Sequence, residues 1–275
     1  MATISIADIK ALREQLGTGM VDTKKALEEA DGDLEKATEI LRLKGAKGNA
    51  KRADRSTSEG LVAAREKGNE AWLIELACET DFVAKNDKFI ALADGVLEAV
   101  VLAGAKSLEE ALAAPAATKT VADVIEDQAA VIGEKIVLRR VAYLTGDAFA
   151  IYLHKTSKDL PPQVGVVVAY TGSDEETARS IAQHISFANP DYVTRDEVPA
   201  DKVDNERRIV EEISRQEGKP EAILPKIVEG RLGAYYKQVA LLEQDYAKDN
   251  SLTVGKVAQN AGLTITGFAR FKVGA

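Results

Sequence analysis

Side chains able to do chemistry are few in this chain. It has two histidines, His154 and His184, and one cysteine, Cys78, which excludes an intrachain disulfide and a Cys-based metal cage. Gly45-Ala46-Lys47-Gly48 lacks the spacing of a phosphate-binding loop and has no strand before it. No HExxH, EF-hand loop or nucleophile elbow is present. The most pointed arrangement is Thr80-Asp81-Phe82, followed by Val83. It comes after an alternating run with Trp72, Ile74, Leu76 and Cys78 on one face and Leu73, Glu75, Ala77 and Glu79 on the other, the period of a half-buried strand. A helix follows it, with Phe89, Leu92, Ala93, Val96 and Val100 on one stripe. Held between strand and helix, the junction could act as a wedge. The ring would enter a pocket on a partner, and the carboxylate would compete for a cation or repel a phosphate. A plainer reading stays open: Phe82 in the core, as for most phenylalanines, and Asp81 as a helix N-cap.

The elements around this junction follow from periodicity and turn chemistry. Ser5 reads as an N-cap, with Ile6, Ile9, Leu12 and Leu16 as a helical stripe ended at Gly17-Thr18-Gly19. A second helix is expected over 20–30. A third starts at Asp33, with Leu34, Ala37, Ile40 and Leu41 inward and Gly45 as its C′ residue. Positions 42–55 hold six basic residues and one acid, and read as a linker, helical in part. A hairpin is expected over 59–79, turning at Lys67-Gly68-Asn69. A helix over 121–132, with Val124, Ile125 and Ile132 inward, ends at Gly133, and 135–144 has strand character. Strands at 148–154 and 164–170, an acidic turn at 172–176 and a helix carrying Ile181, Ala182, Ile185 and Ala188 repeat the order hairpin, acidic junction, helix. Then 197–233 reads as an αα-hairpin, with Val203, Ile209, Val210 and Ile213 facing Ile223, Ile227 and Leu232, and with Pro225 kinking or restarting the return helix. A last strand over 264–273 places Ile265, Ala269, Phe271 and Val273 on one face and rejoins the second sheet.

Composition narrows the class. The 275 residues suffice for about two domains. A net charge of −8 disfavours direct nucleic-acid binding. No apolar run approaches the ~20 residues of a membrane span, no signal peptide is read at the start, and the single cysteine fits a reducing compartment. The expectation is a cytoplasmic protein that is not an enzyme and holds no cofactor.

Two long motifs sharpen this. Glu75-Leu-Ala-Cys-Glu-Thr-Asp-Phe-Val-Ala-Lys85 and Leu12-Arg-Glu-Gln-Leu-Gly-Thr-Gly-Met-Val-Asp-Thr-Lys-Lys-Ala-Leu27 resemble the two signatures of the elongation factor Ts family, exchange factors for the translational GTPase elongation factor Tu. The resemblance implies an α+β fold with three parts. Residues 1–55 would be a ubiquitin-associated-like three-helix bundle with a basic linker at its end. Residues 56–140 and 141–275 would be two similar sheet-plus-helix subdomains, the second carrying the helical hairpin at about 197–233.

It further implies that the protein binds GDP-bound elongation factor Tu, disturbs its Mg²⁺ and phosphate site, and promotes exchange of GDP for GTP. The nucleotide and the Mg²⁺ belong to the partner. Thr80, Asp81, Phe82 and Val83 would form the nucleotide-release wedge, with Phe82 beside the switch region and Asp81 near Mg²⁺. Arg13, Met20, Val21 and Lys24 would dock on the GTPase domain. Here Met20 could instead fill the core, and Lys24 could be a solvated charge. His154, in Tyr152-Leu153-His154, would shift the phosphate loop. Tyr246 and Ala247 match a segment that meets the third domain, although the family's Gln-Pro-Phe-Val reads here as Gln244-Asp245-Tyr246-Ala247. The hairpin would serve self-association, as a homodimer or a 2:2 complex, or partner contact. Some relatives continue into a further helical module, which this chain is expected to lack. Two other readings remain: a non-exchanging adaptor, and a ribosome-associated RNA binder using the basic run 42–55.

Overall fold

The computed structural model describes residues 4–275; the first three positions of the expected N-terminal domain lie outside the described residues. The chain opens with helices α1 (Ile6–Leu16), α2 (Met20–Glu29) and α3 (Leu34–Arg52). Ser5 and Asp8 form a capping box at the start of α1, and Gly17 ends it in the left-handed conformation that only glycine adopts cheaply. Ile9, Leu12, Ala26, Leu27, Ala37 and Leu41 make the bundle core. Ile6 and Leu34, expected inward, are exposed, because the core is closed by residues one turn further along each helix.

Helix α3 does not stop at Gly45. It runs through Gly45 and Gly48 to Arg52, so most of the basic run is helical. Gly45 is a packing residue rather than a C′ residue: a Cβ there would lie 2.8 Å from the Ala130 Cβ on another helix.

Strands β1 (Glu59–Lys67) and β2 (Glu70–Cys78) form the expected hairpin around Gly68-Asn69, with Lys67 paired to Glu70. A one-turn helix α4 (Asp81–Ala84) follows, then α5 (Asp87–Ala103), whose inward stripe is the expected one, and α6 (Leu108–Ala113). A short ribbon of β3 (Pro115–Ala116) and β4 (Lys119–Thr120) leads into α7 (Val121–Ile132), which carries Ala130. Gly133 ends α7 as expected, while its fully buried side chains are Val121, Ile125 and Ala129, with Val124 and Ile132 only partly buried. Strand β5 (Val137–Thr145) pairs antiparallel with β2.

The second sheet begins with β6 (Ala148–His154) and β7 (Val164–Thr171), followed by α8 (Glu175–Ala188), capped by Asp174. Helices α9 (Ala200–Gln216) and α10 (Leu224–Val239) form the antiparallel hairpin, longer at its end than expected. The return segment restarts at Pro225 as expected: a 3-10 turn over Glu221–Ile223 gives way to α10, and Pro225 sits in its first turn, where the missing amide leaves no bond unmade. Val228 and Leu232 of α10 pack on Val210, with Leu224 also buried, while Ile209, Ile213 and Ile223, expected inward, are exposed. The chain closes with β8 (Asp245–Tyr246), β9 (Asp249–Thr253), α11 (Val254–Asn260) and β10 (Thr264–Lys272).

Strand orders are β1-β2-β5 and β10-β7-β6, so in each sheet the second hairpin strand is central and a later strand returns beside it. Outer helices cover each sheet: α5, α6 and α7 on the first, α8 and α11 on the second. The inner faces meet through Val62, Ala71, Leu73 and Val167. Strand β2 is therefore buried on both faces, not half-buried. Glu75 is buried there as well, and a register shift beside it in β5 lets both Arg139 and Arg140 reach its carboxylate, with Arg140 Nε at 2.7 Å. Strand β10 also departs from strict alternation. A bulge between Ile265 and Gly267 turns Ile265 toward the α8 side, while Ala269, Phe271 and Val273 face the first sheet.

Candidate functional site

Strand β2 ends at Cys78, whose thiol is buried and pushed up to about 12, chiefly by desolvation and next by the Glu134 carboxylate. It donates to the Thr80 carbonyl at 3.3 Å and stays a thiol at neutral pH. Thr80, not Asp81, is the N-cap of α4: its Oγ1 accepts from the Val83 amide at 3.4 Å. Asp81 is the first helical residue, where a carboxylate suits the helix dipole. Phe82 is 73% exposed, so the core reading does not hold. Val83 is partly buried against the first core and turns the ring outward by occupying the inward position itself.

Lys85 closes the group. Its Nζ lies 3.2 Å from Asp81 Oδ2 and 4.5 Å from the centre of the Phe82 ring. Both carboxylate and ammonium are substantially exposed, and such pairs contribute only about 0–1 kcal/mol. Asp81 can thus exchange Lys85 for a cation or donor on a partner at little cost.

The junction is also tied to the loop after α7. Glu134 Oε2 accepts from the amides of Glu79 and Thr80, each at 3.1 Å, and Oε1 accepts from Thr80 Oγ1 at 2.6 Å. Glu79 Oε1 in turn accepts from the Lys135 amide at 2.6 Å. The other Glu79 oxygen pairs with Arg55 at 3.2 Å, beyond the end of α3. No motif or spacing points to Glu134, which stands more than fifty positions from Thr80; the Gly133 stop that delivers it is the one local signal.

The other expected residues occupy separate surfaces. Arg13, Met20, Val21 and Lys24 are all exposed, with Met20 at 49% and Val21 at 66%, so Met20 does not fill the bundle core. The turn beside them is braced by Thr23 Oγ1, which bonds Thr18 Oγ1 at 2.7 Å and the Gly19 carbonyl at 2.9 Å. Lys24 makes an exposed pair with Glu28 on its own helix. His154 ends the edge strand β6, exposed, its Nδ1 at 3.0 Å from the Tyr152 hydroxyl. Its carbonyl accepts from the Gln163 amide, and the Gln163 side chain donates to the Gly60 carbonyl at 2.7 Å, which fixes this strand end against the first sheet.

Tyr246 is buried: its hydroxyl bonds Ser180 and its ring stacks on His184. Ala247 is exposed, and its amide donates to His184 Nδ1 at 3.2 Å, while His184 Nε2 donates to Gln244 Oε1 at 2.9 Å. His184, to which the sequence assigned no function, is thus the internal support of the 244–247 segment. Tyr246 shapes that segment from inside, leaving Ala247 on the surface.

Among the described residues no group of three or more His, Cys, Asp or Glu could hold a metal ion, and no helix is long and apolar enough to cross a membrane.

Comparison with known proteins bears on the whole chain. The family model described as Elongation factor TS matches residues 79–275. The chain is 75% identical over 276 aligned positions to Elongation factor Ts of Leifsonia xyli subsp. xyli, with the full length of both chains covered. It is 71% identical to the Clavibacter sepedonicus protein of that name and 52% identical to that of Kocuria rhizophila, again over the full length of each. Matched by the family model over residues 79–275 and by close relatives along its full length, the chain belongs to the elongation factor Ts family.

Proposed function

We propose that this chain is a guanine-nucleotide exchange factor that binds GDP-bound elongation factor Tu and speeds GDP release. The observation that carries the proposal is the exposure of Phe82 on a braced one-turn helix directly after a fully buried strand. An exposed aromatic on a rigid mount enters a partner's pocket with little loss of conformational freedom. Phe82 inserts beside the partner's switch region, and Asp81, released from Lys85, disturbs the site of the partner's Mg²⁺. His154 presses on the phosphate loop. The N-terminal helices, read as a ubiquitin-associated-like bundle, dock through Arg13, Met20, Val21 and Lys24, and the segment ending at Ala247 meets the third domain. Residues 56–140 and 141–275 act as two subdomains of one scaffold, and the α9–α10 hairpin serves self-association or partner contact. The nucleotide and the metal are the partner's, so this chain needs no cofactor and makes or breaks no bond. It works in the cytoplasm, where its partner does.

Energetically the action is linkage: whatever the factor takes from GDP affinity, GDP takes from factor affinity. A coupling of ~3 kcal/mol shifts affinity more than a hundredfold. The test is the release of a fluorescent GDP analogue from elongation factor Tu, followed by stopped flow. Wild type should accelerate release, and Asp81→Ala/Phe82→Ala should still bind but lower the maximal rate by about tenfold or more, roughly the loss of 1.4 kcal/mol of barrier lowering. Unchanged release with wild-type protein would sink the exchange reading and leave an adaptor in its place.

A further inference from the structure

We infer that Glu134 is the positioning residue that holds the Thr80–Phe82 junction in its partner-facing pose. This rests on the wedge reading above and adds to it the group that aims the wedge. Helix α4 is a single turn, and a single turn has no stability of its own. Its internal cap, Thr80 Oγ1 to the Val83 amide, is long at 3.4 Å. The amides of Glu79 and Thr80 lie beyond the end of β2, where no strand partner takes them. Glu134 takes both on one oxygen and the Thr80 hydroxyl on the other. Because the hydroxyl proton is committed to Glu134, the lone pairs of Thr80 Oγ1 are left to face the Val83 amide. The carboxylate therefore sets both the direction of the chain leaving the strand and the rotamer of the cap.

Its own mount is rigid. Helix α7 is anchored by Ile125 and Ala129 in the first core, Gly133 stops it in a left-handed turn, and the Lys135 amide is held by Glu79. The two loop segments clasp each other, each giving a carboxylate to the other's backbone. Loss of the Glu134 carboxylate frees the Thr80 hydroxyl to rotate and lets α4 fray, so Phe82 no longer arrives at one place. Misplacement of an acting group by about 1 Å can cost a hundredfold in rate. Docking through the other surfaces is untouched, so the effect falls on the maximal rate and not on half-saturation.

The experiment measures stopped-flow GDP-analogue release from elongation factor Tu against factor concentration. It uses wild type, Glu134→Ala, Glu134→Gln, Phe82→Ala and Glu134→Ala/Phe82→Ala, with hydrogen exchange of the Glu79 and Thr80 amides read in each free protein. Glu134→Ala should lower the maximal rate by about tenfold with half-saturation within about twofold, and should speed exchange at both amides. Glu134→Gln keeps an oxygen for the amides and should recover part of the rate; it also serves as the test should the alanine variant unfold. The double variant should be slower than Phe82→Ala by much less than the Glu134→Ala effect alone, because Glu134 acts through the junction that carries that ring. If Phe82→Ala is impaired while both Glu134 variants match wild type, the role of Glu134 is overturned and the wedge stands. If the double variant is slower than Phe82→Ala by the full effect of Glu134→Ala alone, Glu134 is a separate partner contact and the inference is overturned. If Phe82→Ala releases GDP at the wild-type rate, the wedge reading itself fails and the inference falls with it.

Discussion

His184 is a buried base whose two ring nitrogens have opposite duties. Nδ1 accepts from the Ala247 amide and Nε2 donates to Gln244, an arrangement that only the neutral imidazole satisfies. Burial holds its pKa below the ordinary 6.5, with the Gln244 bond opposing. The unfolded chain takes up a proton near that ordinary value which the folded chain resists. The stability that depends on His184 is therefore complete above about pH 6.5 and is lost as pH falls toward the lower folded pKa. The thermal unfolding midpoint should fall between about pH 7 and about pH 5, a range in which the capping carboxylates stay ionised. In His184→Gln the midpoint should be lower at pH 7 but flatter over that range. Equal slopes in the two proteins would show that another group takes the proton. A lone histidine on a helix face carries no sequence signal for this role; its partners lie about sixty positions away. Phe82 was legible only in part, since the junction stands out by residue type while composition favours a buried phenylalanine. Its exposure follows from Val83, beside it, taking the inward position.

At the scale of elements, local chemistry marked ends well where the ends are local. The N-cap at Ser5, the stop at Gly17, the Gly68-Asn69 turn and the stop at Gly133 were all readable, because each is set by residues within a few positions. Helix α3 was not. Gly45 reads as a stop, yet it lies inside the helix because α7 passes against it, and the last two turns of α3 bond α7 through Asn49 to the Glu126 carbonyl and Arg52 to the Ala129 carbonyl. The two helical glycines therefore differ in a testable way. An interior glycine costs a helix about 1 kcal/mol relative to alanine. At Gly48 a new Cβ would meet only the Arg52 guanidinium, at 3.2 Å, which can move, so Gly48→Ala should raise stability by up to about 1 kcal/mol. At Gly45 the obstacle is the Ala130 Cβ, fixed to another helix at 2.8 Å, so Gly45→Val should lower stability by about 1–3 kcal/mol despite its Cβ. Thermal unfolding of the two variants beside wild type decides this; a gain in both would mean that α3 and α7 are not in contact there.

At the scale of the whole molecule, the two sheets lie face to face, and that contact sets where the candidate surfaces stand relative to one another. Phe82 leaves from the central strand of the first sheet, and His154 ends an edge strand of the second. Strand β2 carried a sign of this packing, since every residue from Ala71 to Cys78 but Glu75 is apolar, which is how a strand covered on both faces reads. The alternation obscured it, as did Glu75, whose charge suggests solvent until Arg139 and Arg140 arrive from β5 through a bulge no local pattern announces. The sheets approach closely at Gly165, where a Cβ would lie 2.7 Å from Leu73 Cδ1 and 3.0 Å from Val62 Cγ2. Gly165→Ala should cost about 1–3 kcal/mol by overpacking, and Leu73→Ala should cost about 2–5 kcal/mol by leaving a cavity. If the sheets meet as described, the two lesions are complementary: the added methyl takes part of the space the leucine leaves. The double variant should then be more stable than the sum of the single costs by about 1 kcal/mol or more in denaturant unfolding. Strict additivity would mean that the two positions do not touch. The inter-sheet contact that fixes His154 relative to Phe82 would then have to lie elsewhere on these inner faces.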